Sequence, residues 1–182
     1  YFQAAIPFRP VTLVGVRARY AFGGPYFPDP DVESTSVDGT VVHGTGDASW
    51  ATVHDALAGT AAEDTGVDSN VNLRTPDAQL SGGLYYVARG FILFDTAAIG
   101  DTDTILTGTL SLFGTSTVSN TDGGTVDIVS STPASNTALV VGDYDQVGTT
   151  VFADKTLASW STTAYNDFTL VTPNDGKISK TG

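Results

Sequence analysis

The sequence predicts an all-β fold, an antiparallel β-sandwich of the jelly-roll kind, and three observations support this. Residues 85–113 have the pattern of two long strands joined by a short acidic loop that contains glycine. Short apolar runs elsewhere are separated by turn signals such as Asp122-Gly123-Gly124, as is typical of sandwiches and jelly rolls. Helical periodicity extends over ten residues nowhere in the chain.

The two central strands differ in how their faces are predicted to be covered. The first has Ile92 and Phe94 on one face and Phe91 and Leu93 on the other, so both faces are expected to be buried. The second alternates leucine with threonine or serine over residues 106–112. That alternation predicts a strand with one buried face and one exposed face.

The N-terminal region is predicted to form one strand, residues 11–21, followed by a linker rich in proline and glycine. Proline cannot donate to a ladder, so the linker is loop or edge. We place a boundary near Glu33, with a strand and linker in 1–33 and the sandwich domain in 34–182. Tyr1-Phe2-Gln3 resembles the end of a protease-recognition tag and is left out of the fold prediction.

Further elements of the sandwich domain follow from local patterns. Residues 44–59, which contain Trp50 and His54, fit either a strand with a turn or one short helical turn. Residues 60–70 are predicted to be a polar loop. The remaining predicted strands are 35–43, with a kink at Asp38-Gly39, then 70–75, 125–131 and 164–171.

Composition and charge exclude several classes of function. The chain has 182 residues, with 8 Lys and Arg against 20 Asp and Glu, and a net charge of −12. An acidic surface of this kind repels nucleic acid and anionic membranes, and no apolar run is long enough for membrane insertion. The chain contains no cysteine, which excludes disulfides, thiolate catalysis and cysteine-based zinc sites. The acidic balance itself favours either solubility or the binding of divalent cations.

No residue pattern predicts an enzyme. His54 and Asp55 are the best base-and-orienter pair, but neighbours on a strand point to opposite faces and make a poor dyad. The chain also lacks a nucleophile elbow. Arg89 and Asp95 are about 20 Å apart along one strand, so each is expected to bond backbone or loop groups.

Calcium is the predicted cofactor if the chain binds a metal. Asp143 and Asp145 are separated by one residue in a loop flanked by glycine, which suits a hard cation that takes oxygen ligands. Asp38, beside a glycine, is a weaker third ligand. Solvated loop charges are the alternative interpretation of all three carboxylates.

Aromatic side chains are the candidate ligand platforms, because sugar C–H groups stack on π systems. Trp160 lies between polar neighbours and is predicted to be the most exposed. For each of these residues, packing in the core or at its rim is the alternative. The candidates for ligand binding are Trp50, Tyr86, Tyr144, Trp160 and Tyr165.

One segment resembles a known family. ARGFILFDTAAIGDTDTILTGTLSLFG, residues 88–114, resembles the core of the DNRLRE-type domain: an arginine, an apolar run, Phe-Asp, a short loop and a strand with Leu-x-Leu. Residues 36–59 and 142–170 look like its opening and closing parts, so the resemblance covers about 35–180. It implies an extracellular β-sandwich with a non-catalytic role, and some members are similar to carbohydrate-binding modules.

The sequence and the resemblance together give two functional hypotheses. The first is a secreted module that binds a polysaccharide or a cell-surface glycan, or mediates adhesion, with calcium as a stabiliser. The second is a structural subunit of a cell-surface fibre or virion appendage. The resemblance implies one further strand after the segment that ends at Gly182. A sheet that lacks this strand would be open at one edge, and residues 6–20 of a neighbouring copy would complete it by strand exchange.

Overall fold

The structure is a computed structural model, and antiparallel strands dominate the part of the chain that it describes. The described residues are 2–5, 11–12, 14–17, 20–22, 25–26, 35–45, 49–64, 70–73, 85–100, 105–114, 124–170 and 178. Within these ranges the strands form several antiparallel sheets, and none of the sheets closes into a barrel. The all-β prediction is confirmed at this level.

The strands are numbered in chain order. They are β1 Phe2–Ala5, β2 Val11–Thr12, β3 Val14–Arg17, β4 Tyr20–Phe22, β5 Pro25–Tyr26, β6 Asp38–Thr45, β7 Ala61–Glu63, β8 Asn70–Leu73, β9 Tyr85–Ile92, β10 Ile105–Phe113, β11 Thr125–Ser131, β12 Val147–Thr156 and β13 Tyr165–Leu170.

Helical structure is limited to three short segments within the described ranges. They are the α-helix α1, Trp50–His54, and two 3₁₀ helices, Val141–Asp145 and Leu157–Ser159. None of the described helices is long and apolar enough to cross a membrane.

Two sheets contain most of the paired strands. One has the order β13-β10-β3-β4 and the other the order β7-β6-β9. β11 pairs with β12, β2 with β5 and β1 with β8. β9 pairs with β6 along its whole length, from Asp38 opposite Ile92 to Thr45 opposite Tyr85.

The apolar side chains form two core clusters. The Tyr144 cluster consists of Val37, Val41, Val53, Val87, Phe91, Leu139 and Tyr144. The Trp160 cluster consists of Ile99, Ile105, Leu110, Leu112, Val126, Trp160 and Phe168. Both clusters combine residues that are distant in sequence, so each joins elements from several parts of the chain.

The prediction that the first central strand is covered on both faces is confirmed. Val87 and Phe91 belong to the Tyr144 cluster, and Leu93 packs against it. Ile92 and Phe94, of the opposite parity, pack against the Trp160 cluster. β9 and the residues after it therefore contribute to both cores, because successive side chains of extended backbone alternate in direction.

Two predicted elements differ in the structure. Residues 11–21 are not one strand: β3 and β4 pair antiparallel, with Arg17 opposite Tyr20, so the chain reverses there. Residues 60–70 are not all loop, since β7 pairs with β6. The periodicity of a short segment cannot reveal a reversal that carries no Gly or Pro signal.

The structure also differs from the sequence-based predictions in smaller details. The polar face of β10 is less exposed than alternation suggests, because Ser111 is buried and its hydroxyl donates to Asp167 at 2.6 Å. Phe2 and Gln3 pair with β8. At Gly39 a Cβ would lie 2.2 Å from the carbonyl oxygen of Glu63, so the close strand approach requires glycine. Residues 122–123 of the predicted turn lie outside the described residues.

Candidate functional site

Trp160, predicted to be the most exposed aromatic residue, is buried. Only 8% of it is accessible, and its ring lies 6.0 Å from that of Phe168. A Cβ on Gly114 would come within 2.1 Å of the indole Nε1, so the glycine leaves room for the ring. The polar neighbours in sequence were misleading because Trp160, which follows a 3₁₀ helix, packs in an apolar cluster with residues distant in sequence such as Phe168. The prediction that Trp160 is the most exposed of the aromatic candidates is therefore wrong.

Tyr144 is also buried, with 0% of the residue accessible. Its hydroxyl donates to the carbonyl oxygen of Val53 at 2.7 Å, and its ring centroid is 5.6 Å from that of His43. The 3₁₀ helix Val141–Asp145 places Tyr144 inside the cluster that bears its name. Tyr144 thus holds α1 onto the core and cannot stack on a ligand.

Arg89 is the polar counterpart of Tyr144. Its guanidinium donates to the carbonyl oxygens of Tyr144 and, at 2.7 Å, of His54. The same group lies 4.0 Å above the Tyr144 ring, in a cation–π arrangement. The prediction that Arg89 bonds backbone is confirmed. Asp95 does the same, since its carboxylate accepts from the amide of Ala97 at 2.9 Å.

Asp143, a candidate calcium ligand, has a structural role in the described fold. It is 1% exposed. One carboxylate oxygen accepts from the amide of Ala134 and the other from the amide of Val140, both at 2.8 Å. The bond from Val140 fixes the start of the 3₁₀ helix, and the bond from Ala134 ties the helix to the loop after β11.

The other two candidate metal ligands have different environments. Asp145 is exposed at the end of the 3₁₀ helix, whereas Asp38 is buried at the start of β6. Within the described ranges no group of three or more His, Asp or Glu side chains is arranged to hold a metal ion. Calcium binding by these three carboxylates stays a prediction.

The segment that contains Trp50 adopts the helical alternative. Ser49 is extended, with φ −72° and ψ 160°, and its side chain accepts from the amide of Thr52 at 3.2 Å. This is an N-cap, and it satisfies an amide that the helix leaves free. α1 ends after one turn at Asp55, whose amide donates to the carbonyl oxygen of Ala51.

The helix corrects the geometry predicted for His54 and Asp55. The two side chains meet, with Nδ1 of His54 2.6 Å from a carboxylate oxygen of Asp55. A carboxylate only accepts, so Nδ1 carries the proton. The opposite-face prediction failed because it assumed a strand. The Trp50 ring lies 4.8 Å from the imidazole, as expected for residues four apart on a helix.

The surface around this pair includes four exposed apolar side chains and one further carboxylate, that of Asp145. Trp50 is 39% exposed and Leu57 is 79% exposed, and Val140 and Val141 are also exposed. We call this surface the Trp50 face. Its members are Trp50, His54, Asp55, Leu57, Val140, Val141 and Asp145.

Backbone contacts join the two parts of the Trp50 face. The amide of Gly59 donates to the carbonyl oxygen of Val141 at 2.7 Å, which fixes the loop after Leu57 beside the 3₁₀ helix. Arg89 bridges the carbonyls of His54 and Tyr144 from below. The face is therefore supported by a partly buried polar network.

The remaining aromatic candidates lie elsewhere. Tyr86 is half-buried on β9, where a Cβ on the paired Gly44 would touch its ring. Tyr165 is half-buried on β13, with its ring edge-on to Phe113 at a centroid distance of 5.3 Å. These two strands belong to different sheets, so the predicted aromatic set does not form one platform.

Sequence reasoning found Trp50 but missed its apolar neighbours. Leu57, Val140 and Val141 sit in segments without strand or helix periodicity, where apolar residues are normally assigned to the core. The available signal was the spacing of Ser49 and Thr52 ahead of Val53, which is typical of a capped helix start.

Comparisons with protein-family models, with curated proteins and with solved structures find no match to this chain.

Proposed function

We propose that this chain is an extracellular, non-catalytic binding or adhesion module whose ligand is a polysaccharide or cell-surface glycan. The supporting observation is the Trp50 face. An exposed indole offers a stacking surface for sugar C–H groups, and the Asp55 carboxylate beside it can accept hydrogen bonds from sugar hydroxyls. The sequence resemblance to the DNRLRE-type domain is consistent with this function.

The proposed architecture is an antiparallel sandwich. One sheet of three strands and one of four strands are present, and residues 87–94 contribute to both core clusters. Two sheets that enclose apolar faces usually pack in this way. A sandwich would hold the Trp50 face at one end, on non-strand segments, where binding residues are commonly found.

Retention on insoluble polysaccharides tests the glycan proposal. Native protein should be depleted from solution by at least one polysaccharide, with calcium or with chelator present. Trp50→Ala should weaken that binding about tenfold or more, as for a central aromatic contact. Val151→Ala removes another exposed apolar side chain, on β12, and should bind as the native chain does.

Two outcomes would contradict the glycan proposal. Native protein that stays in solution with every polysaccharide tested would count against a glycan ligand altogether. Binding that is unaffected by Trp50→Ala would count against this face. Calcium stabilisation is tested in the same samples: a chelator should lower Tm if an ion is bound, by mass action.

A structural subunit is the second candidate. The N-terminal β3 pairs with β10 of the same chain, and the same pairing made between copies would join subunits by strand exchange. Removing residues 1–20 should then abolish assembly. If the native and shortened chains are both monomers, this candidate is wrong.

A further inference from the structure

Charge is divided unevenly along this chain. Residues 1–28 contain three arginines and neither aspartate nor glutamate. Residues 29–182 contain five Lys and Arg against all 20 acidic residues. The N-terminal segment is therefore cationic as well as rich in aromatic and branched side chains, and the rest of the chain is strongly anionic. Such an asymmetry favours contact between the two parts.

The Trp50 face has the composition that would complement this segment. Of the five large apolar side chains exposed in the described part of the chain, four lie on the face, and only Val151 lies outside it. Asp55 and Asp145 on this face are also exposed. Apolar side chains accompanied by polar ones are the usual composition of a protein-docking surface.

The two carboxylates are held near each other by the fold. The carbonyls that Arg89 clamps belong to His54 and Tyr144, and the next residues in the chain are Asp55 and Asp145. Burial raises the pKa of the Tyr144 phenol, Arg89 lowers it, and the carboxylates of Asp145 and Asp55 raise it further. Both carboxylates therefore lie close enough to the Tyr144 phenol to interact with it electrostatically.

Arg89 does not remove the acidic character of the face. Its guanidinium bonds two backbone carbonyls and stacks on the Tyr144 ring. The carboxylates of Asp55 and Asp145 remain exposed to solvent. A cationic group that approaches from outside would meet two carboxylates beside exposed apolar side chains.

We propose that the Trp50 face docks the arginine-bearing segment, residues 1–28, of a second copy of this chain. The two surfaces differ, so the contact is head-to-tail and repeats from copy to copy. β3 and β4 of each copy stay paired in their own sheet, so docking requires no strand exchange. This inference goes beyond glycan binding and does not depend on it.

Charge reversal in two matched variants tests the docking. The face variant carries Asp55→Lys and Asp145→Lys, and the segment variant carries Arg17→Glu and Arg19→Glu. In the native chain, mass measured by sedimentation should rise with protein concentration at low salt and fall as salt screens the charges. Each variant alone should associate at least about tenfold more weakly, because like charges then face each other.

The mixture of the two variants gives the decisive result. The native arginines of the face variant can dock on the native aspartates of the segment variant, and the reversed pair also matches. Association should therefore return on mixing. A native chain that is monomeric at low salt, or variants that associate as strongly alone as the native chain, would overturn the proposal, and so would a mixture that stays dissociated.

Two controls separate this contact from other causes. Asp55→Asn with Asp145→Asn removes the two charges with little change of shape. This variant should also weaken association, and it replaces the charge-reversed variants as the test if those fold poorly. Strand exchange is held by backbone hydrogen bonds and would survive high salt, so salt-resistant association would also overturn the docking proposal. Glycan retention is measured separately and stands or falls on its own.

Discussion

The two core clusters are built in different ways. The Trp160 cluster takes its side chains mainly from strand faces, such as Leu110 and Leu112 on β10 and Phe168 on β13. The Tyr144 cluster encloses a tyrosine from a 3₁₀ helix and a valine from α1. Its surroundings include Arg89 and Asp143, whose charged groups bond backbone atoms.

The difference shows what each cluster depends on. Strand faces bury apolar area while the ladder satisfies most of the backbone, and beside the Trp160 cluster the neutral amide of buried Asn166 bonds the remaining backbone groups of Leu112 and Ser161. Irregular segments leave amides and carbonyls without ladder partners, and side chains must supply them. The Tyr144 cluster therefore depends on polar contacts, and those contacts position the Trp50 face.

The largest effect is expected from Phe168→Ala. Phe168 is fully buried in the Trp160 cluster and lies against Trp160. Removing the ring leaves a cavity in a packed core and should reduce the free energy of unfolding by about 3–5 kcal/mol. Urea denaturation measures it, with Thr169→Ala, an exposed neighbour on β13, as the control within about 0.5 kcal/mol. A loss below about 1 kcal/mol would mean that this cluster is not held by packing.

An intermediate effect is expected from Asp143→Asn. The carboxylate accepts one hydrogen bond from each of two backbone amides. In the variant, one of these amides would face an NH₂ group instead of an oxygen. The expected loss is about 1.5–3 kcal/mol, as for hydrogen bonds to a charged group. Asp145→Asn, the exposed carboxylate two residues on, should change the free energy of unfolding by less than about 0.5 kcal/mol. Equal losses in the two variants would show that the hydrogen bonds of the buried Asp143 carboxylate do not stabilise the Tyr144 cluster.

The sequence predicted the parts of the fold that periodicity can report. β9, β11 and β13 were found because alternating side chains on a ladder leave a period of two. The two faces of β9 were assigned correctly for the same reason. The parity of a strand is local information, and burial on each face follows from it directly.

The candidate site was less predictable because contacts between distant segments decide its exposure. Trp160 and Tyr144 have polar neighbours in sequence, yet both are buried. Tyr144 is held in the core by hydrogen bonds to Val53 and Arg89, which are 91 and 55 positions away in the sequence. No local pattern contains that information. Trp50 is exposed because a cap at Ser49 starts a helix one turn long, whose only buried residue is Val53.

The smallest and most specific effect is expected at Tyr144. Tyr144→Phe loses the hydrogen bond to the carbonyl of Val53 and should cost about 1 kcal/mol at neutral pH. The same phenol should give the native chain a distinct pH dependence. Its folded pKa is raised, chiefly by burial, so the unfolded state releases the phenolic proton at a lower pH than the folded state.

The sign of that dependence follows from proton binding. Below about pH 10, the unfolded value for tyrosine, both states hold the proton and the contribution of Tyr144 is constant. As pH rises above it, the unfolded state binds fewer protons, so native stability falls until the folded phenol also ionises. The stability difference between native chain and Tyr144→Phe should therefore be flat at lower pH and shrink above about pH 10. The other tyrosines are common to both proteins, so their contributions cancel in this difference. A stability difference that stays constant at high pH would show that the cluster does not shield Tyr144 from solvent.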